Sequence, residues 1–392
     1  METSDAVVGL VCGECGATHP VETVGHCPDC EGPLAVSIEP GDITRTDLDG
    51  RERRGLARFS GLLPFPADRL DPLEAGDTPL LGVEELCHEL GVGSLAVKDE
   101  ARNPTGALAD RAATLSVTAA REVGATAVAV PSPGNGAQAV AASAARAGLD
   151  SHAFVPSRTP FVNKAMINVH GGEMTVVPGR FADALAAYED AMAEADWFPA
   201  AGFATAYPLE GVKTVAFELL TQRDWTVPDA VVLPVGHGTG LVGVEKGFRE
   251  LVAADLIDEE PRLFAVQPAG CAPIASSWTG AGEAVTPVEG PDTVCGELEI
   301  PDPRRGRGAL EALSRTDGGA VAVPDEAILE AATSLAAAGL TVSVSGGAAL
   351  AGASALAEGS ALGADSDVVL VNPLSGNKEA DILRSHLMSK GI

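Results

Sequence analysis

The sequence predicts an α/β protein, parallel sheets flanked by helices, led by a small cysteine-rich unit. Three observations predict it. Short apolar runs such as "TAVAVPS", "HAFVPS", "EMTVVPG" and "DAVVLPVG" read as strands buried on both faces. Amphipathic or alanine-rich segments of helical length separate them, the alternation that builds parallel sheets with helices on both sides. Two Cys-x-x-Cys pairs stand within the first 34 residues.

The cysteine unit comes first. In "CGECGATHPVETVGHCPDCEGPL", Cys12 and Cys15 form one knuckle and Cys27 and Cys30 the other, offering four thiolates to one tetrahedral Zn²⁺. Four cysteine ligands leave no open coordination position, so the expected role is structural. The scattered thiols Cys87, Cys271 and Cys295 read as packed core residues of a reducing compartment.

The chain is then charged and proline-containing from Gly41 to Asp77, an arm that includes "RRGLARFSGLLPF". Strands and helices follow: "SLAVKDE", the runs quoted above, a helix carrying Leu241, Val244, Phe248, Leu251 and Val252 on one face, then "RLFAVQPAG" and late in the chain "DVVLVNP". The segment from about Pro287 to Arg307 reads as a long surface excursion. Residues 331–357 carry no charge, long enough for a bilayer, yet they are Ala, Gly, Ser and Thr with few large apolar side chains, which predicts a close-packed interior helix instead.

Composition narrows the partners. At 392 residues and 46% hydrophobic, the chain can bury a large core in two or three domains. It carries 26 basic residues, only six of them Lys, against 55 acidic ones, for a net charge of −29. Such an excess fits a protein held in solution in a salt-rich cytosol, where screening shortens charge repulsion. It also repels nucleic-acid phosphates and anionic lipid, and without a basic patch neither nucleic acid nor membrane is an expected partner. "METSDAVVGLVCGEC" lacks a basic region followed by a long apolar run, so the expected location is the cytoplasm.

Ligands of open parallel sheets gather where strands end and helices begin. Three such turns stand out: "NPTGALADR" after "SLAVKDE", "PSPGNGAQAV" after "TAVAV", and "PVGHGTGLVG" after "DAVVL". In the third, Gly236, Gly238 and Gly240 expose successive N–H groups at a helix start, a cradle for phosphate that matches neither the Walker pattern nor the dinucleotide fingerprint. His237 within it reads either as a phosphate donor or as a solvated bystander.

Taken in order, "LEAGDTPLL", "VKDEARNPTGALADR", "PGNGAQAVAASAARAGL", "FVPSRTPFVNKAM", "LEGVKTVAFEL", "PVGHGTGLVG", "AVQPAGCAPI" and "SGNKEAD" make the chain resemble threonine synthase, of the pyridoxal-phosphate fold-type II group and its zinc-ribbon-bearing branch, over nearly the whole length. The resemblance implies a zinc ribbon at 1–38, an arm at 39–78 joining the larger domain, a smaller α/β domain at 79–190 and a larger one at 191–392 with the phosphate-binding loop. It implies the cofactor between the domains and turnover of O-phosphohomoserine to threonine. Asn135 would face the pyridoxal ring hydroxyl, and Gly236, His237, Gly238, Thr239 and Gly240 would hold its phosphate.

The departures carry as much information. Laid ungapped on the family's Asn-Pro-Thr-Gly-Ser-Phe-Lys-Asp-Arg, the chain places Ala109 at the Schiff-base lysine, and a methyl group can neither tether an aldehyde nor move a proton. The family's Thr-Gly that meets the pyridine nitrogen falls on Pro373 and Leu374, with Ser375 two positions beyond Pro373 as the available hydroxyl. Lys98, Lys213 and Lys246 read as structural or substrate-side charges, Asp110 and Arg111 as a pair holding the loop, and Lys378 as either.

The resulting expectation is a threonine-synthase-like protein with a degenerate cofactor site and no catalytic residue at the family position. It would bind pyridoxal phosphate non-covalently or not at all, take another small phosphorylated metabolite or an amino acid, and act as a homodimer or beside an active homologue. The alternatives are an active pyridoxal-phosphate lyase or synthase with a relocated lysine, and a module whose zinc ribbon contacts another protein.

Overall fold

Three sheets organise the chain, which the computed structural model describes over residues 1–50, 52–70, 73–278 and 284–391. Arg51, Asp71 and Pro72 of the charged arm lie outside the described residues. Strand β1 (Val7–Cys12) pairs antiparallel with β2 (Thr18–His19) and β3 (Leu34–Ile38). Leu10, Leu34 and Val36 of this ribbon enter the same apolar core as Ala200, Ala201 and Tyr207, so it is packed onto the body.

The larger sheet begins with β4 (Leu80–Gly82) and β5 (Ser94–Asp99). The smaller one follows as β6 (Ala127–Pro131), β7 (Asp150–Pro156), β8 (Glu173–Val177) and β9 (Phe198–Pro199), in the order β8-β7-β6-β9 and parallel throughout. The chain then returns to the larger sheet through β10 (Ala230–Pro234), β11 (Arg262–Pro268), β12 (Gly319–Val323) and β13 (Asp367–Asn372), giving the order β12-β11-β10-β13-β5-β4. Only β4 is antiparallel there.

The division expected at 79–190 and 191–392 does not follow these sheets. Strands β4 and β5 belong to the larger sheet because β5 pairs with β13, Ser94 opposite Asp367, and β9 belongs to the smaller sheet because Val128 lies opposite Phe198. A local apolar run announces a strand but not a partner more than half a chain away.

Alternation along the central strands fills both faces of the larger sheet. Ala230 and Val232 pack with Phe264, Val266 and Val368, whereas Val231 and Leu233 pack with Phe217, Val244 and Phe248. The arm helix Gly55–Leu62 adds Phe59 and Leu62 to the second face. The uncharged stretch becomes two helices, Asp325–Ala337 and Val344–Glu358. Close packing explains its composition: a Cβ at Gly352 would stand 2.2 Å from a Val266 methyl, and one at Gly347 would stand 2.4 Å from the Ile328 carbonyl. No helix of the described residues is long and apolar enough to cross a membrane.

Candidate active site in the cleft between the sheets

The carboxyl ends of β5, β6, β10 and β13 lead into four turns that face one another across a cavity of about 230 Å³. Its walls include Leu108, Ala109, Ala112 and Ala113 from the first turn, Ser132 and Asn135 from the second, His237, Thr239 and Gly240 from the third, and Pro373 and Leu374 from the fourth.

The first turn is held from behind. Gly106 N–H donates to the Asn103 carbonyl at 2.8 Å, and Asp110 accepts from Thr105 N–H at 2.9 Å and from its hydroxyl at 2.7 Å. Burial pushes the Asp110 carboxyl up to about 6, with the Thr105 donors and the Lys378 charge opposing it. Ala109 then opens the helix Ala109–Glu122 with its methyl on the cavity wall. Two residues on, Arg111 is wholly buried, donating to Glu100 (2.6 and 2.8 Å), to Glu218 (2.7 Å twice) and to Thr214 (2.8 Å). Asp110 and Arg111 therefore hold the loop.

Asn135 opens the second helix, Asn135–Ala147. Its Oδ1 accepts from Asn163 Nδ2 at 3.1 Å and from Lys378 Nζ at 2.7 Å, and its backbone N–H donates to Glu297 Oε1 at 3.1 Å. Two donors on one oxygen fix the orientation of the amide. Glu297 is partly buried on the cavity wall, and desolvation of its carboxyl raises its pKa.

In the third turn Gly238 has φ +95°, which suits glycine, and the helix Thr239–Ala253 follows. Its first N–H groups lack intrahelical partners and can meet an anion entering the cavity. His237 is not a solvated bystander. Its ring lies 5.0 Å from Phe181 and 4.5 Å from Phe203, Nδ1 accepts from Arg304 N–H at 3.4 Å, and Nε2 has no partner among the described residues. Burial, with Arg304 and Arg305 nearby, pushes it down to about 3, so it stands on the wall as a neutral imidazole at ordinary pH.

The fourth turn brings Pro373 and Leu374 to the wall. Ser375 does not join them: its hydroxyl accepts from Asn377 N–H. Ser345, at the start of the helix Val344–Glu358, does line the cavity, and its Oγ has no partner among the described residues. The first and fourth turns are joined, with Leu108 N–H on the Pro373 carbonyl at 2.7 Å and Ser375 N–H on the Gly106 carbonyl at 2.9 Å. The turns that carry Ala109 and Pro373 are thus held together by one hydrogen-bonded strip.

The lysines separate cleanly. Lys98 donates to Glu218 at 2.6 Å, Lys213 to Glu210 at 2.5 Å and Glu250 at 2.7 Å, and Lys246 pairs with Glu210 at 2.9 Å, all buried and none on the cavity wall. Lys378 alone of those considered reaches a cleft residue, Asn135, and burial lowers its pKa.

The segment read as a surface excursion is also corrected. Glu297, Leu298 and Ile300 line the cavity and Cys295 is buried, because the chain folds back between the domains without forming a strand or helix long enough to show periodicity. Glu297, Ser345 and Phe203 carried no motif and were not anticipated.

At the ribbon, Cys12 and Cys30 bring their sulfurs to 3.5 Å and Cys15 and Cys27 to 3.8 Å, with all four sulfurs within 4.8 Å of one another. A tetrahedral Zn²⁺ with Zn–S of about 2.3 Å needs sulfurs about 3.8 Å apart. His19 Nε2 lies 3.2 Å from Cys27 Sγ, poised to orient that thiolate. Cys87, Cys271 and Cys295 are buried free thiols.

Two parallel-rich sheets with four strand ends around an interdomain cleft define the fold-type II class of pyridoxal-phosphate enzymes. A family model described as pyridoxal-phosphate dependent enzyme matches residues 72–373, and the chain belongs to that family. Its relatives include threonine synthases: that of Methanosarcina acetivorans is 33% identical over 367 residues, 92% of this chain and 90% of the relative, and that of Methanocaldococcus jannaschii 31% identical over 376 residues, 94% and 93%. The processed form of threonine deaminase isoform 2 from Solanum lycopersicum shares the fold, with TM-score 0.69 and 21% identity over 81% of this chain and 85% of that one.

The cleft residues fit the family's coenzyme only in part. A helix start suits its phosphate and Asn135 its ring oxygen, but the wall offers a methyl at Ala109 and apolar groups at Pro373 and Leu374. It does not fit the coenzyme as a covalently tethered, nitrogen-paired group.

Proposed function

We propose that this chain is a non-catalytic threonine-synthase homologue that binds a small phosphorylated molecule, pyridoxal phosphate included, without a covalent bond. One observation carries the reading: the cavity wall holds Ala109 at the head of its helix, and no lysine stands among the wall residues. Without an amine there is no group to form an imine or to carry protons to and from substrate carbons. The residues left to hold a ligand are the turn Gly236–Gly240 for an anion, Asn135 for an oxygen, and Ser345 for a further polar atom. An amino acid is the other ligand this cleft suits. The protein acts as a ligand-binding or regulatory partner, as a homodimer or beside an active homologue, in a salt-rich cytoplasm and apart from nucleic acid and membrane. The four cysteines hold a structural Zn²⁺.

The test adds pyridoxal phosphate, records the visible absorption, reduces with borohydride and maps the peptides by mass spectrometry. The expected result is no adduct on a cleft lysine and no phosphate release from O-phosphohomoserine. One observation favours a second reading, an active enzyme with a relocated amine: Lys378 Nζ stands 2.7 Å from Asn135 Oδ1. That reading requires a borohydride-stable adduct on the Lys378 peptide, lost in Lys378→Ala, together with phosphate release. Either result would overturn the first reading.

A further inference from the structure

A second group of side chains lies on the larger domain, away from the cleft and the ribbon cysteines. The helix Asp325–Ala337 presents Glu326 and Glu330 one turn apart, and the C-terminal helix Ala380–Ser389 supplies His386. A ligand atom from each of the three lies within 4.8 Å of the others. His386 is 6% exposed, and its Nε2 has no hydrogen-bond partner among the described residues. A buried imidazole that keeps one nitrogen unpaired and brings a ring nitrogen beside two carboxylates is a donor set without its acceptor.

We propose that Glu326, Glu330 and His386 bind a divalent transition-metal ion of the Zn²⁺, Co²⁺ or Ni²⁺ class. An imidazole nitrogen selects these ions over Mg²⁺ and Ca²⁺, which take all-oxygen shells, and two carboxylates balance the charge of the ion. Bonds of about 2.0–2.2 Å place tetrahedral ligands roughly 3.4 Å apart. Both glutamates are exposed and can close from the spacing present, while the buried imidazole stays fixed. Three protein ligands leave one position for water, unlike the four sulfurs of the ribbon.

Lys390 is the built-in competitor, because its ammonium pairs with Glu330. The site also has a mechanical consequence. The C-terminal helix starts immediately after Lys378 and Glu379, and Lys378 grips Asn135, so an ion clipping that helix to Asp325–Ala337 steadies a residue that orients the cleft.

The experiment compares the full chain with its variants, each saturated with Zn²⁺, passed through gel filtration and measured for bound metal, with calorimetric titration of Zn²⁺ alongside. Wild type is expected to retain one more equivalent than His386→Ala, and the paired change Glu326→Gln with Glu330→Gln is expected to lose the same equivalent or weaken it at least about tenfold. The glutamate variants change exposed side chains and keep the proposal testable if His386→Ala does not fold. Lys390→Ala is expected to tighten the site a few-fold, which a purely structural His386 would not produce. Equal stoichiometry and affinity in wild type and in the glutamate variants would overturn the proposal, as would an unchanged affinity in Lys390→Ala.

Discussion

The two sides of one helical turn make the instructive comparison. Ala109 faces the cavity with a methyl group, while Arg111 faces away into a wholly buried network with Glu100, Glu218 and Thr214. The cavity side presents small apolar groups at Ala109, Ala112 and Ala113. The rear keeps charges that are costly to bury and more costly to leave unpaired. Side chains on the cavity side can therefore be exchanged at little energetic expense, while the ion network behind them resists change.

The sharpest way to break this contrast is to restore the amine. Ala109→Lys places an amino group on the cavity wall, and with added pyridoxal phosphate it is expected to give a borohydride-stable adduct near one equivalent where the parent gives none, read by peptide mass. No adduct in a folded variant would mean that the cavity side has lost more than one group. Next in size is the rear: Arg111→Met strands two buried carboxylates and is expected to cost about 3–5 kcal/mol, measured by denaturant unfolding. A cost below about 1 kcal/mol would show that the network does not hold the loop.

A smaller effect lies where the two sides meet. Burial, reinforced by Glu297 and opposed by Lys378 and the backbone donors of Val344 and Ser345, raises the Glu379 carboxyl to about 7 from an ordinary 4.5. A carboxyl whose folded pKa is raised binds its proton more tightly in the native state. Its contribution to stability is thus present at low pH and lost as pH rises from about 4.5 to about 7. Glu379→Gln, which keeps an acceptor for Val344 N–H, is expected to leave stability near pH 5 little changed and to raise it by about 1–3 kcal/mol at pH 8. Thermal unfolding across that range checks the slope. Smallest of all, Ser345→Ala removes a cavity hydroxyl that has no partner among the described residues and is expected to shift stability by less than about 0.5 kcal/mol. A larger loss would mean that this hydroxyl is part of the structural network.

Much of this is legible in the sequence alone. The strands around the cleft were visible as apolar runs, and the ribbon cysteines as paired knuckles, because each pattern is local. Ala109 stood out from its place in a motif, and the fold puts it on the cavity wall. Less was legible where contacts are distant or aperiodic. Nothing near Ser94 announces Asp367 as a partner, so the domain division was misplaced. Residues 287–307, rich in Pro and charge, resemble a surface loop, yet they deliver Glu297 and Ile300 to the cavity. His237 sits among glycines in sequence, and only the fold supplies Phe181 and Phe203 around it.

The strip joining Leu108 to Pro373 and Gly106 to Ser375 has an evolutionary consequence. The turn that carries Ala109 and the turn that carries Pro373 are laced together by these bonds, so a change of backbone in either is felt at once by its neighbour. On the proposed reading, Ala109 and Pro373 then count as one coupled change in the history of the chain, and restoring an amine to the cavity would call for adjusting both edges of the seam together.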